Sequence, residues 1–354
     1  MKILFIVPYV PNLIRVRPYN LIRYLSEHGH CVTVLTLWSD EQEREDITQV
    51  KQYCHHIQAI HLPTSRSYWN CLTALPTTKP LQSAYCWNLA LANQITALNS
   101  PHNGKSEFDV IHVEHLRGAR YGLFCKSFLH KTPLVWDSVD CISLLFKQAG
   151  MQSKKRLSRW LTSFELGRTQ KYEGNLVSGF DRTLVTSPAD RAALLSLVAH
   201  TETPPEISVL PNGVDLNYFK PDKSVTRESA TLVISGKMSY HANISMVLFL
   251  VQKIMPNIWS HKPDVNLWIV GKDPPNEIRA LQKESRITVT GTVSDIRPFL
   301  QKATISVAPL TYGAGIQNKV LESMACATTH FYPSSDFSYR SSARERDSSG
   351  TRTR

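Results

Sequence analysis

Short apolar runs alternate with stretches of helical periodicity along most of the chain. Lys2–Val7 is apolar after its first residue, 31–36 is a second run, and between them residues 19–27 carry apolar side chains at 21, 22 and 25. That pattern predicts strand, helix, strand, with strands short and apolar enough to be covered on both faces, as in a parallel sheet with crossover helices. Residues 110–113, 133–136, 183–186 and 207–210 continue the strands, and Ser187 ahead of Pro188 predicts a capped helix running towards Leu197. Pro211-Asn212-Gly213 is a turn signal, and residues 218–228 are polar and contain Pro221, which places a domain boundary here. The alternation then restarts: strands at 232–235, 265–270, 287–290 and 304–308, with helices at 244–258, 276–283, 296–301 and 316–326. Two such repeats predict an α/β fold of two doubly wound, Rossmann-like domains, residues 1–212 and 213–326, facing each other across a cleft. Ligands of such sheets bind outside the carboxyl ends of the strands.

Length and composition agree with this reading. The 354 residues suit two domains, and 42% hydrophobic with 19% charged residues is ordinary for a globular chain. The longest apolar runs, 3–10 and 246–251, fall well short of the ~18 residues of a membrane span, and the first lacks the flanks of a signal peptide. Seven cysteines, at 31, 54, 71, 86, 125, 141 and 326, show no CxxC or CxxH spacing; the expectation is reduced thiols in a cytoplasmic protein, with no zinc site. Lysine and arginine exceed aspartate and glutamate by 40 to 29, a formal charge of +11 that favours anionic partners. No finger or aromatic nucleic-acid motif accompanies the charge, so nucleic acid is set aside in favour of phosphorylated substrates or anionic lipid. Residues 154–164 interleave cations with Leu157, Trp160, Leu161 and Phe164; such a segment lies on an anionic membrane, or its apolar stripe is core.

The chemistry concentrates in Gly313-Ala314-Gly315-Ile316-Gln317-Asn318-Lys319-Val320-Leu321-Glu322. A glycine loop opening a helix offers free backbone N–H groups and a positive dipole end to an anion. Lys319 and Glu322, three apart, share a helix face, whereas Leu321, Met324 and Ala325 are expected in the core. One cation and one carboxylate so placed suit a diphosphate and a ribose; an ordinary capped surface helix has the same outline. In the first domain, Asp109-Val110-Ile111-His112-Val113-Glu114-His115 ends a strand in polar groups, and Asp137 and Asp140 follow Trp136. His112 is a site residue or a satisfied core histidine, and the aspartates contact an acceptor or cap a turn. Pro8-Tyr9-Val10-Pro11-Asn12 excludes the GxGxxG turn of dehydrogenases, while Arg15 and Arg17 in the loop after the first strand suit a phosphate or solvent.

The order of these segments resembles family 4 glycosyltransferases. Pro211-Asn212-Gly213-Val214-Asp215 with Phe219 and Pro221 is similar to the family's inter-domain segment, Val289-Thr290-Gly291-Thr292-Val293 to its base-contacting loop, and Val307-Ala308-Pro309-Leu310 to the strand end before the site. Gly236-Lys237-Met238 and the run 315–322 are closest to bacterial polysaccharide sugar transferases. The likeness covers residues 1 to about 326. It implies a GT-B fold and a retaining, metal-independent transfer of sugar from a nucleotide-diphosphate sugar, as co-substrate and with no cofactor, to a glycan or lipid-linked acceptor in polysaccharide biosynthesis. The protein would be cytoplasmic and peripheral at the inner face of the membrane. The implied catalytic residues are His112, Lys319 and Lys237. Gly313, Gly315, Ile316, Gln317, Asn318, Glu322, Gly236, Gly291 and Val293 would hold the donor, with Arg15, Arg17, Glu114, His115 and Asp137 on the acceptor side. The chain departs from the family where Ala314 replaces a second glutamate, Lys237 stands where arginine is common, and an expected lysine falls at Ala242, beside Asn243. Two other readings fit part of this: a nucleotide-sugar-binding protein without turnover, and a sugar-nucleotide epimerase.

From Ala327 onward the chain turns to serine and arginine with almost no aliphatic residues, so 327–354 is expected to be a disordered tail. The family continues at this point with a buried strand and further αβ units. The expectation is a truncated or frameshifted end, an incomplete second sheet, and poor solubility or activity.

Overall fold

The computed structural model describes residues 1–99, 106–152, 156–198, 205–310 and 317–331, without the side chains of 151–161. The chain divides into two compact units, Met1–Asn212 and the described residues from Gly213 onward.

The first unit holds a seven-stranded, wholly parallel sheet. Its strands are β1 (Lys2–Val7), β2 (Cys31–Trp38), β3 (His56–His61), β4 (Val110–Glu114), β5 (Leu134–Val139), β6 (Arg182–Val185) and β7 (Ile207–Val209), in the order β3-β2-β1-β4-β5-β6-β7. β1 is an interior strand, between β2 and β4, and is covered on both faces, as its unbroken apolar run requires. Leu4 and Ile6 pack with Leu35, Ile111 and Trp136, whereas Ile3, Phe5 and Val7 pack with Val32, Val34, Tyr19 and Ile22. β3 escapes the hydrophobic pattern because it is an edge strand: His-Ile-Gln-Ala-Ile-His is nowhere fully buried. The helix Pro188–Leu195 starts as predicted, Ser187 accepting from the Asp190 N–H and Pro188 in the first turn.

The second unit repeats the plan in a five-stranded parallel sheet: β8 (Thr231–Ser235), β9 (Asn266–Val270), β10 (Ile287–Gly291), β11 (Ile305–Val307) and β12 (Thr329–Phe331), ordered β10-β9-β8-β11-β12. The single helix expected over 244–258 is three pieces, His241–Phe249, a π turn at Leu250–Ile254 and Met255–His261. Pro256 accounts for the break, since it has no N–H for the ladder and its ring crowds the turn before it.

β12 corrects one expectation. Residues 329–331, assigned to a disordered tail, form a strand beside β11, and the connection into it is fastened: Thr328 Oγ1 donates to Leu300 O at 2.6 Å and Arg227 Nη2 to Ala327 O at 2.6 Å. An aliphatic run is the requirement of a central strand. β12 ends the described sheet with Phe331 exposed, so polar residues suffice. Residues 332–354 lie outside the described residues. Met324, expected in the core, is exposed; the helix Asn318–Ala325 instead turns Ser323 inward, where its hydroxyl meets His330 Nδ1 on β12 at 2.8 Å.

Among the described residues no helix is long and apolar enough to cross a membrane. All seven cysteines are free thiols, and burial pushes Cys125 and Cys141 up to about 12.

Candidate functional site

Each sheet reverses its strand order beside its first strand, between β1 and β4 in one unit and between β8 and β11 in the other. A crevice opens at the carboxyl ends of such strands, because the helices leaving them go to opposite faces.

In the first unit this place is filled by a charged network under the surface. Arg17 lies in the first turn of the helix Val16–Glu27 and is almost fully buried, not in a loop facing solvent. Its Nε donates to Asp137 Oδ2 at 2.8 Å, and its Nη1 to Leu210 O at 2.9 Å and Asn212 Oδ1 at 3.0 Å. The protein itself thus engages Nε and Nη1 of the guanidinium, while Nη2 is buried without a hydrogen-bond partner. Asp137 is wholly buried inside β5, where its Oδ1 accepts from the Val139 N–H at 3.2 Å. His112, from β4, places Nε2 at 3.4 Å from Glu114 Oε2 and 3.7 Å from Asp137 Oδ2, its ring tilted against Phe5.

Glu114 is the anomalous member. Burial first, and the Asp137 charge second, push its carboxyl up to about 7, and Oε1 is buried without a hydrogen-bond partner. His115 follows at the strand end with φ 61°; burial, aided by Arg117, pulls its imidazole down to about 3, so the ring is neutral. Val139, which ends β5, has φ 67°, a genuine outlier for a β-branched residue, next to a register shift in the β5–β6 pairing. Two strained residues thus end neighbouring strands at the crevice, the setting in which strain is usually stored. Asp140, half-buried, comes a little further on, bonded by Thr186 Oγ1 at 3.2 Å and raised to about 6 by desolvation and Asp190.

Arg15 meets Glu43 at 2.5 Å and stacks over Tyr9, 4.7 Å from the ring centroid. Tyr9 is a residue the sequence did not single out: it follows β1, stands edge-on to His115, and its phenol is pushed well above the ordinary value by burial and the nearby Glu114. A cation could in principle be held by His112, Glu114 and Asp137, whose ligand atoms lie within 4.8 Å of one another. Arg17 already places a fixed positive charge 2.8 Å from one of those carboxylates, so the donor set suits a guanidinium better than a dication.

In the second unit the switch point is built of glycine backbone and one half-buried cation. Gly236 follows β8 with φ 147°, and Gly271 follows β9 with φ 151°. A Cβ on Gly271 would lie 1.8 Å from Gly236 O, so the two turns touch through backbone and neither tolerates a side chain easily. Asn243, in the helix His241–Phe249, ties the place together: its Nδ2 donates to Lys237 O at 2.9 Å and its Oδ1 accepts from Lys319 Nζ at 2.6 Å. Burial pulls the Lys319 ammonium down to about 8 against the opposing charge of Glu322, while burial pushes the Glu322 carboxyl up to about 7 against Lys319.

In the sequence Asn243 stands out only as the neighbour of Ala242. Its one legible signal is its place shortly after Gly236, between the apolar Ala242 and Ile244. Lys237 is exposed, contributing its carbonyl to this knot. Gln317 stands at the N-cap position of the helix of Lys319 without a side-chain capping bond, and Asn318 Oδ1 is buried without a hydrogen-bond partner. Gly291 ends β10 with φ 70° and open space where a Cβ would stand. Val293 is half-buried, its side chain packing against the apolar cluster of Leu300 and Cys326. Gly313, Gly315 and Ile316 lie outside the described residues, as do Lys154, Lys155 and the side chains of the rest of 154–161.

Comparison with known proteins fits both halves. Residues 15–218, more than half of the chain, match the model of Glycosyltransferase Family 4, and residues 229–330 match that of Glycosyl transferases group 1. A phosphatidylinositol N-acetylglucosaminyltransferase component from Homo sapiens is 30% identical over 109 residues, which are 29% of this chain and only 22% of that protein. Among solved structures, Anabaena HepE in complex with UDP-glucose superposes with a TM-score of 0.59 at 16% identity, covering 94% of this chain and 80% of its own. A glycosyltransferase from Rickettsia africae gives 0.56 at 14% identity, covering 94% and 78%. At these identities the likeness is one of fold, the GT-B architecture.

Proposed function

The chain belongs to glycosyltransferase family 4, and from that premise we propose that it moves a sugar from a nucleotide-diphosphate sugar to a glycan or lipid-linked acceptor, with retention of configuration and without a bound metal. The observation that carries this reading is the Lys319–Asn243–Gly236 knot at the switch point of the second sheet. Loss of a nucleoside diphosphate develops negative charge on the leaving oxygens, and without a metal a preorganised cation must meet it. Lys319 sits in the first turn of its helix, where the helix dipole adds to its charge, and Asn243 holds it beside a glycine turn bare of side chains. Glu322, one turn on, suits the ribose hydroxyls. His112 and its neighbours in the first unit would face the reacting sugar, Glu114 and Asp137 fixing the imidazole rather than meeting substrate. The fold relative solved with UDP-glucose makes uridine diphosphate sugars the first donors to try, and polysaccharide biosynthesis at the cytoplasmic membrane face is the setting such an acceptor implies.

The test is release of nucleotide from labelled UDP-, GDP- and ADP-sugars by the purified chain, with and without glycan acceptors, beside donor-induced thermal stabilisation. Stabilisation with no release would sink the transferase reading in favour of a binding protein. Conversion of the donor sugar without acceptor would reveal an epimerase.

A further inference from the structure

The helix Thr64–Ala74 is folded inside out for a water-facing helix. Its polar Ser67 and Asn70 are buried, Asn70 Nδ2 donating to Trp87 O at 2.8 Å, while Tyr68, Trp69, Leu72 and Leu75 just beyond its end are 63, 59, 57 and 44% exposed. These four stand at i, i+1, i+4 and i+7, one contiguous stripe. The helix is not a loose end that bares apolar groups by fraying: Arg168 Nη2 donates to Ala74 O at 2.7 Å and also holds Thr77 O. Single exposed leucines are ordinary in a globular protein; a fixed stripe of Tyr, Trp and two Leu is a surface with an occupant.

The charge around the stripe says which. From Ile47 to Ser106 the sequence contains no aspartate or glutamate, where the average of 29 acids in 354 residues would put about five, and Arg66 and Lys79 are exposed on either side of the stripe. Glu165, which reaches this region from the helix Arg156–Gly179, is neutralised by Arg168 at 2.9 Å and accepts from the Leu81 N–H. An apolar stripe rich in Tyr and Trp, flanked by cations, with no acid in its own segment and the one carboxylate that reaches it paired to Arg168, is complementary to a layer of acyl chains topped by phosphates. A protein partner would have to match the apolar stripe and supply acids around it; an anionic bilayer offers both everywhere.

We propose that the Tyr68–Leu75 face of this helix docks the protein on an anionic lipid bilayer, Trp69 and Leu72 entering the interface and Arg66 and Lys79 meeting headgroup phosphates. Its use rests on the reading above, since a lipid-linked acceptor is presented at such a surface, but docking itself is measured without donor, acceptor or turnover, so either can fail alone.

The experiment is flotation of the full chain with vesicles of phosphatidylcholine, either pure or containing a third phosphatidylglycerol. The anionic vesicles are expected to carry about tenfold more protein, and added salt to reduce it. W69S/L72S, whose side chains are exposed and whose loss leaves the core intact, should lower the bound fraction about tenfold with an unchanged circular dichroism spectrum. R66E/K79E should abolish the preference for anionic vesicles, and Leu89→Ser, an exposed leucine outside the stripe, should change nothing. Equal flotation on both vesicles, or W69S/L72S or R66E/K79E floating like the parent, overturns the proposal. So does a parent chain that stays off both vesicles but forms a dimer that W69S/L72S abolishes, which would make the face a contact between copies.

Discussion

At the switch point of the seven-stranded sheet the charged groups are buried and spent on one another: Arg17 on Asp137, Leu210 O and Asn212, His112 between two carboxylates. At the same point of the five-stranded sheet Lys319 is half buried and bonded to a neutral amide. Topology is the same and the electrostatics are opposite. A network of paired charges fixes positions and, apart from the unpartnered Arg17 Nη2 and Glu114 Oε1, has little left to offer a ligand; breaking it leaves a bare ion in a poor solvent. A cation held by an amide keeps its full charge and most of its donors. The first arrangement is suited to holding a reacting face still, the second to meeting an anion.

The largest effect should come from breaking the closed network. Asp137→Ala leaves Arg17 buried without its carboxylate, and removal of one partner of a buried pair costs about 3–5 kcal/mol. Urea unfolding of the first unit should report it. Arg17→Met with Asp137→Leu should lie nearer the parent than either single change, because no bare charge remains. A loss below about 1 kcal/mol for Asp137→Ala would mean that the guanidinium is solvated after all.

Lys319→Ala comes next, with kcat/KM falling about 10²-fold, since one preorganised cation at the leaving group is removed while folding is little affected. Activity within twofold of the parent would remove Lys319 from the chemistry. Glu322→Gln should act more gently, raising the donor KM several-fold with kcat nearly kept, because a ribose contact is made alike in ground and transition states. A collapsed kcat at unchanged KM would assign Glu322 to the reacting centre instead.

The same contrast marks what can be read from sequence. Strands buried on both faces, such as β1 and β8, announce themselves as apolar runs, and with the Ser187-Pro188 cap they make the doubly wound plan legible. Two of the four edge strands do not: β3 and β12 have one open side and no aliphatic run, and look like loop or tail, whereas β7 and β10, also at edges, keep the apolar pairs Ile207/Val209 and Ile287/Val289 and are legible. The lysine and glutamate of the second site are neighbours on one helix turn, so spacing alone groups them. Arg17 and Asp137 are 120 residues apart, and only the adjacency of β1, β4 and β5 joins them. The pairing of Asn243 with Lys319, 76 residues away, is hidden in the sequence for the same reason.

The smallest effect is a shift in pH dependence, and it tests whether Asn243 acts through Lys319. Burial lowers the Lys319 ammonium to about 8, so turnover that needs its charge should fall as pH rises through about 8, well below the ordinary lysine range. Glu322 opposes the shift and His330 lies close enough to feel the ammonium, but His330 is itself held at about 4 and is neutral throughout this range. Asn243→Asp puts a carboxylate where an amide oxygen now accepts at 2.6 Å. The charged form of Lys319 is then favoured, and the alkaline limb should move up by about one unit, with a modest loss of kcat because the ammonium is partly neutralised towards the diphosphate. Asn243→Leu leaves the burial and removes the acceptor, so its limb should move down. Stability follows with the opposite emphasis. Between about 8 and the ordinary lysine value the unfolded chain binds more protons than the folded one, so stability should rise with pH across that window in the parent, and rise less in Asn243→Asp. Limbs that coincide in all three proteins would show that Asn243 is merely packing, and that the cation meeting the diphosphate is not Lys319.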